Sequence, residues 1–184
     1  VAGDTKVVEK GKGDGLFINT SGVGLVPAGV EMSASKIKPG DVIIISGQVG
    51  NHGIAVMAER NGLTFDPPVL SDTAPLNGLV EIMLSATDGV RAMRDPTRGG
   101  LATVLKEFAV QSGLCFSVSE ADIPVAPGVR GACDLLGLDP LFVANEGVLL
   151  AVVRPDMAKY LVNLMKGHPF GEGAAIVGEV EASP

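Results

Sequence analysis

The sequence predicts a layered domain of α/β or α+β class, with helices packed on a sheet. Three observations carry that expectation. Segments of strand character alternate with segments of helical periodicity along the chain. Apolar residues make up 46% and charged residues 19% of the 184 residues, a balance that builds a core and rules out disorder. Gly 25 and Pro 12 together form about a fifth of the chain, against a usual share of about 12%, and they sit at the edges of the apolar runs, where tight turns and close backbone approaches need them.

Taken in order, Gly3-Asp4-Thr5-Lys6-Val7-Val8 reads as a turn feeding a strand. Leu16 to Thr20 and Val42 to Ser46 are apolar, β-branched runs bounded by Gly and Asp, and are expected as strands. His52 to Asn61 is expected as a helix with Ile54, Met57 and Ala58 on one face, and Leu76 to Thr87 as a second, with Leu79, Ile82 and Met83 at helical spacing. Leu101, Val104, Leu105, Phe108 and Ala109 give the cleanest amphipathic pattern, which Gly113 ends. A strand over Cys115 to Ser119 and a short helix over Val129 to Leu136 follow. Leu149 to Val153 has the composition of a buried strand. Asp156 to Lys166 is expected as a helix with Met157, Leu161, Leu164 and Met165 inward, and Ile176 to Val180 as the last strand. The chain opens on Val1 and closes four residues after that strand, so it reads as a piece of something longer.

Composition narrows the function. A net charge of −7 leaves no basic excess to replace counterions, which argues against nucleic acid as partner, though a small anion needs only a local pocket. Aromatics at 4%, with no Trp, do not make a base-stacking platform. Cys115 and Cys133 cannot build a disulfide framework; both are expected in the core of a protein from a reduced, cytoplasmic compartment. No apolar run has the length of a membrane span. No Walker-type loop and no nucleophile elbow is present.

Four segments could carry chemistry. Arg94-Asp95-Pro96-Thr97-Arg98-Gly99-Gly100 precedes the cleanest helix. Asp95 or Thr97 can cap that helix, or its first amides, the glycines and Arg98 can hold an anion. Gly3-Asp4-Thr5-Lys6 places a carboxylate beside a hydroxyl, a pair that can hold Mg²⁺ at a phosphate, but taken alone it reads better as a turn with a surface Lys. Ala144-Asn145-Glu146-Gly147 puts Glu146 at the mouth of an apolar strand, where burial would suit a base and exposure would make it a plain turn acid. Gly50-Asn51-His52-Gly53 opens a helix with a His that either meets a ligand or is structural; no second His lies near, so zinc is not expected.

Together these segments, with Asp14-Gly15-Leu16-Phe17-Ile18-Asn19-Thr20 and His52-Gly53-Ile54-Ala55, resemble in order the HypE family of hydrogenase maturation proteins, within the AIR synthase (PurM-like) superfamily. The resemblance runs over essentially the whole chain, and Arg-Asp-Pro-Thr-Arg-Gly-Gly is its most specific part. It implies a PurM C-terminal-domain-like fold, a mixed sheet flanked by helices. Residues 1–12 would be the last strand of an N-terminal ATP-binding domain and residues 13–184 the AIR-synthase-like domain. It implies an ATP-dependent dehydration of a carbamoylated C-terminal cysteine to a thiocyanate, with ATP and Mg²⁺, a HypF-type carbamoyltransferase and a HypC–HypD complex as partners, and a homodimer of the full-length protein. By resemblance Lys6 and Glu146 carry the acid–base work, Asp4 and Asp95 the metal, and Thr5, Thr97, Arg98, Gly99, Gly100 and His52 line the ATP phosphates. The family's C-terminal Cys tail is missing here, and Asn51 stands where an Asp is usual. The isolated chain is therefore expected to be inactive. A small-molecule kinase or synthetase of the same fold, and a non-catalytic docking domain, are the alternatives.

Overall fold

Four consecutive apolar residues, Val42–Ile45, form β1, the middle strand of a five-stranded sheet. The computed structural model describes residues 23–182, so the expected strand at Leu16 to Thr20 and the Asp4, Thr5 and Lys6 positions lie outside the described residues. The chain divides into two compact units, Val1–Val30 and Glu31–Pro184, and the sheet with its helices belongs to the second.

After β1 come α1 (Asn51–Asn61), α2 (Asn77–Ala86), β2 (Val90–Arg94), α3 (Gly100–Ser112), β3 (Cys115–Val118), α4 (Pro127–Leu136), β4 (Leu150–Val153), α5 (Pro155–Lys166) and β5 (Ala175–Glu181). The sheet order is β2-β4-β1-β5-β3. The layered α+β class is what the chain adopts. The sheet, however, is not mixed: every pairing among the described strands is antiparallel. β1 takes as neighbours β4 and β5, more than a hundred residues on, so no sheet neighbours are joined by the single crossover that makes a pair parallel.

The period of two along the strands divides the core. Ile43 and Ile45 of β1 and Leu150 and Val152 of β4 face α3, where Leu101, Val104, Leu105 and Phe108 are buried. Ile44, Ala151 and Val153 face the other way, onto Leu79 and Met83 of α2 and Ala158, Leu161 and Met165 of α5. β4 is therefore buried along its whole length. A register shift between Ile43 and Ile44 loops one extra β5 residue into the ladder, and Val177 and Val180 reach the same core three positions apart. A smaller cluster joins Ile54 of α1 to Val129, Ala132 and Cys133 of α4. No helix among the described residues is long and apolar enough to cross a membrane.

Cys133 is buried on α4, and burial, ahead of the nearby Asp134 and Asp139, pushes its thiol pKa up. Cys115 is exposed on the edge strand β3, against the expectation that both cysteines pack inside. An alkylating reagent at neutral pH is expected to add one group to the folded chain, at Cys115, and the second only after unfolding. Intact mass before and after denaturant checks this.

Candidate functional site

The turns around β1, α1, α3 and β4 converge on one buried side chain. Asn145 has no solvent exposure. Its Oδ1 accepts the Gly50 amide at 2.7 Å, and its Nδ2 donates to the carbonyls of Pro96 at 2.9 Å and Val143 at 3.1 Å. Its own amide also donates to Pro96, at 3.1 Å, and the adjoining Ala144 carbonyl accepts the Gly53 amide at 3.0 Å. An amide side chain offers both donors and acceptors, so one residue can tie three segments that are far apart in sequence. Three of the four segments singled out in the sequence are thus brought together; the fourth, at Asp4 to Lys6, lies outside the described residues.

Neither Asp95 nor Thr97 caps α3. The capping position is Gly99, at φ 75°, with no side-chain cap. The Thr97 carbonyl instead accepts the Gly100 amide at 3.1 Å, closing a turn that leads into the helix. Gly100 is buried, at φ 62°, and a Cβ there would lie 2.4 Å from the Leu141 carbonyl oxygen and 2.7 Å from that of Val143. The glycine therefore serves packing of backbone on backbone, where the sequence suggested room for a ligand. Asp95, Arg98 and Gly99 are exposed and Thr97 is half-buried. α3 thus presents a helix start without a side-chain cap beside an exposed Arg, a setting that suits an anion. Arg94 does not share it: its guanidinium pairs with Glu107 of α3 at 2.6 Å.

His52 is half-buried in the first turn of α1, its Nδ1 2.9 Å from the Ser71 hydroxyl. Glu146 is exposed, not enclosed by the strand that follows it. Its backbone is firmly held: Oδ1 of Asp72 accepts the amides of Glu146 at 2.7 Å and Gly147 at 3.0 Å, while Oδ2 accepts the His52 amide at 3.2 Å. Asp72 and Gly147, with Ser46, Asn51, Phe170 and Glu172, also border an open cavity of about 440 Å³. Sequence reasoning missed Asp72, and it passed over Asn145 while quoting its segment. The polar run Ser71-Asp72-Thr73 was the available signal, but nothing local points to a partner 74 residues away.

Among the described residues no group of three His, Cys, Asp or Glu could hold a metal ion. Asp95 is an exposed carboxylate just before the start of α3, and Mg²⁺ held at a phosphate asks for only one or two carboxylates.

Residues 38–184 match the family described as AIR synthase related protein, C-terminal domain. The chain is 54% identical over 183 residues to the carbamoyl dehydratase HypE of Bradyrhizobium diazoefficiens, covering 99% of this chain and 53% of that protein. It superposes on a HypE–HypF complex with a TM-score of 0.80 at 45% identity, over 83% of this chain and 50% of that one. It superposes on hydrogenase maturation protein HypE in complex with ATP with a TM-score of 0.79 at 42% identity, over 82% of this chain and 45% of that one. The chain spans about half the length of the curated relatives it matches.

Proposed function

The chain belongs to the AIR synthase related family, and from that premise we propose that it is the C-terminal part of a HypE-type carbamoyl dehydratase that works in hydrogenase maturation. The observation that carries this reading is the 54% identity over 99% of the chain to a protein of that activity. On this reading residues 1–12 close an N-terminal ATP-binding domain and residues 13–184 are the AIR-synthase-like domain. A HypF-type protein supplies the carbamoyl group, a HypC–HypD complex receives the cyano group, and the full-length protein is a cytoplasmic homodimer.

The substrate is a thiocarbamate on a C-terminal cysteine, and the product is a thiocyanate. ATP, when bound, supplies the phosphoryl group that turns the amide oxygen into a leaving group. The C–O bond breaks as the oxygen departs with inorganic phosphate, the third C–N bond forms, and both amide protons leave. Glu146 accepts a proton from the nitrogen, and its exposure on a fixed loop is consistent with a group that meets substrate. Lys6 shares the acid–base work. Thr97, Arg98 and Gly99 at the start of α3 neutralise phosphate charge, with Thr5 and His52 alongside. Gly100 contributes through its amide turn and its packing. Mg²⁺ would enter with the phosphates, Asp4 and Asp95 being this chain's contributions to it. With about half the length of its relatives, the 184-residue chain alone is expected not to turn over.

The test uses the full-length parent protein, carbamoylated on its C-terminal cysteine and given Mg·ATP, with intact mass as the readout. Loss of one water is expected, and Glu146→Gln should slow it by about 100-fold or more. Wild-type loss in that variant removes Glu146 from the role. ATP consumption without water loss overturns the dehydratase reading in favour of a kinase-like one.

A further inference from the structure

We propose that Asp72 is a positioning residue for the dehydration, acting through Glu146; this rests on the reading of Glu146 as the base. One carboxylate fixes two chain segments at once. Oδ1 accepts the successive amides of Glu146 and Gly147, and Oδ2 accepts the His52 amide in the first turn of α1. Bonds of this charge-assisted kind are roughly twice as strong as neutral ones. The helix needs such a partner, because Gly50 at its capping position offers no side chain. Asp72 caps α1 from a distant loop, where a negative charge also complements the helix dipole.

The rest of the local geometry is arranged around that carboxylate. Ser71 and Thr73 flank it in a tight turn, with the Thr73 amide donating to the Ser71 hydroxyl at 3.2 Å and the two hydroxyls 2.8 Å apart. The same Ser71 hydroxyl meets Nδ1 of His52, so the ring and the amide of His52 are both tied to this tripeptide. Gly147 lets the two loops touch: a Cβ there would lie 1.7 Å from the Asp72 carbonyl oxygen. Asn145, immediately before Glu146, is locked by its own bonds to Gly50, Pro96 and Val143. Glu146 is therefore an exposed side chain on a backbone pinned on both sides, by Asn145 before it and by Asp72 at and after it. The carboxylate that removes the amide proton needs that direction, and a displacement of about 1 Å can cost about 100-fold in rate.

The full-length protein carrying Asp72→Asn, which keeps one acceptor oxygen but loses the charge, is tested beside Asp72→Ala. Amide hydrogen exchange of the 144–148 segment is expected to speed up about 10-fold or more in both variants, with β4 unchanged. Unchanged protection overturns the clamp. Single-turnover water loss at saturating ATP is expected to fall about 10- to 100-fold in Asp72→Asn. In a Glu146→Gln background the same substitution should cost less than about 3-fold, because the group it positions is already gone. Costs that multiply, or a weakened ATP response with the chemical step intact, overturn the positioning role. Wild-type turnover by Glu146→Gln alone would sink the base assignment instead, and the exchange measurement would still report whether Asp72 holds the loop.

Discussion

Asn145→Ala is expected to be among the most destabilising single substitutions in the described residues, at about 4 kcal/mol, because it strips the Gly50 amide and the Val143 carbonyl of their partner inside the fold. For a chain of this size that corresponds to a fall of about 10 °C in melting temperature, read by circular dichroism. The Pro96 carbonyl suffers less, since it keeps the Asn145 backbone amide. Asn145→Asp separates hydrogen bonding from space filling. It retains an acceptor for Gly50 but turns a second, charged oxygen toward the carbonyls of Pro96 and Val143, where two donors stood. Burial raises the pKa of the introduced carboxyl above its unfolded value, so the charged form costs stability as pH rises through the unfolded pKa. The Asn145→Asp protein should therefore melt higher at mildly acidic pH than at neutral pH relative to the unsubstituted protein. Equal melting for all three proteins would show that the three loops are held by something other than this side chain.

That hub also marks the limit of what the sequence discloses. α3 was legible almost to the residue, because its apolar positions repeat at helical spacing and Gly113 stops it. β4 was legible because both of its faces are buried and its sequence is uniformly apolar. β2 was not expected, and the reason is physical. It is an edge strand with two arginines in five residues, and a register shift between Val90 and Ala92 sends its two buried side chains to opposite faces. No simple alternation survives that. The Ala144-Asn145-Glu146-Gly147 segment could be picked out by residue type, as could the segments holding Pro96 and Gly50, yet their joining through Asn145 is a contact across 49 and 95 residues. Asp72 is a harder case, since a polar residue in a loop between two helices has no pattern until its three amide partners are seen.

Gly100 allows two accounts of the same glycine to be told apart. If it existed to admit a ligand, Gly100→Ala would leave the domain folded and weaken only ATP binding by the full-length protein. The structure supports the opposite expectation. The backbone at Gly100 has φ 62°, a conformation that costs an L-residue roughly 1–2 kcal/mol. The added methyl would also lie 2.4 to 2.8 Å from the backbone of Leu141, Phe142 and Val143, a segment anchored through the Val143 carbonyl to Asn145. Backbone so held cannot swing aside as a side-chain tip can, so overpacking adds about 1–3 kcal/mol more. Gly100→Ala is thus expected to lower the melting temperature of the domain itself, with no ATP present. Gly99→Ala is the matched control. Its φ of 75° carries the same strain, but its Cβ would meet the Thr103 hydroxyl, a side chain able to rotate, and the residue is exposed. Paired melting curves should place Gly100→Ala well below Gly99→Ala. The reverse order, or an ATP-binding loss in Gly100→Ala without any loss of stability, would return this glycine to the ligand.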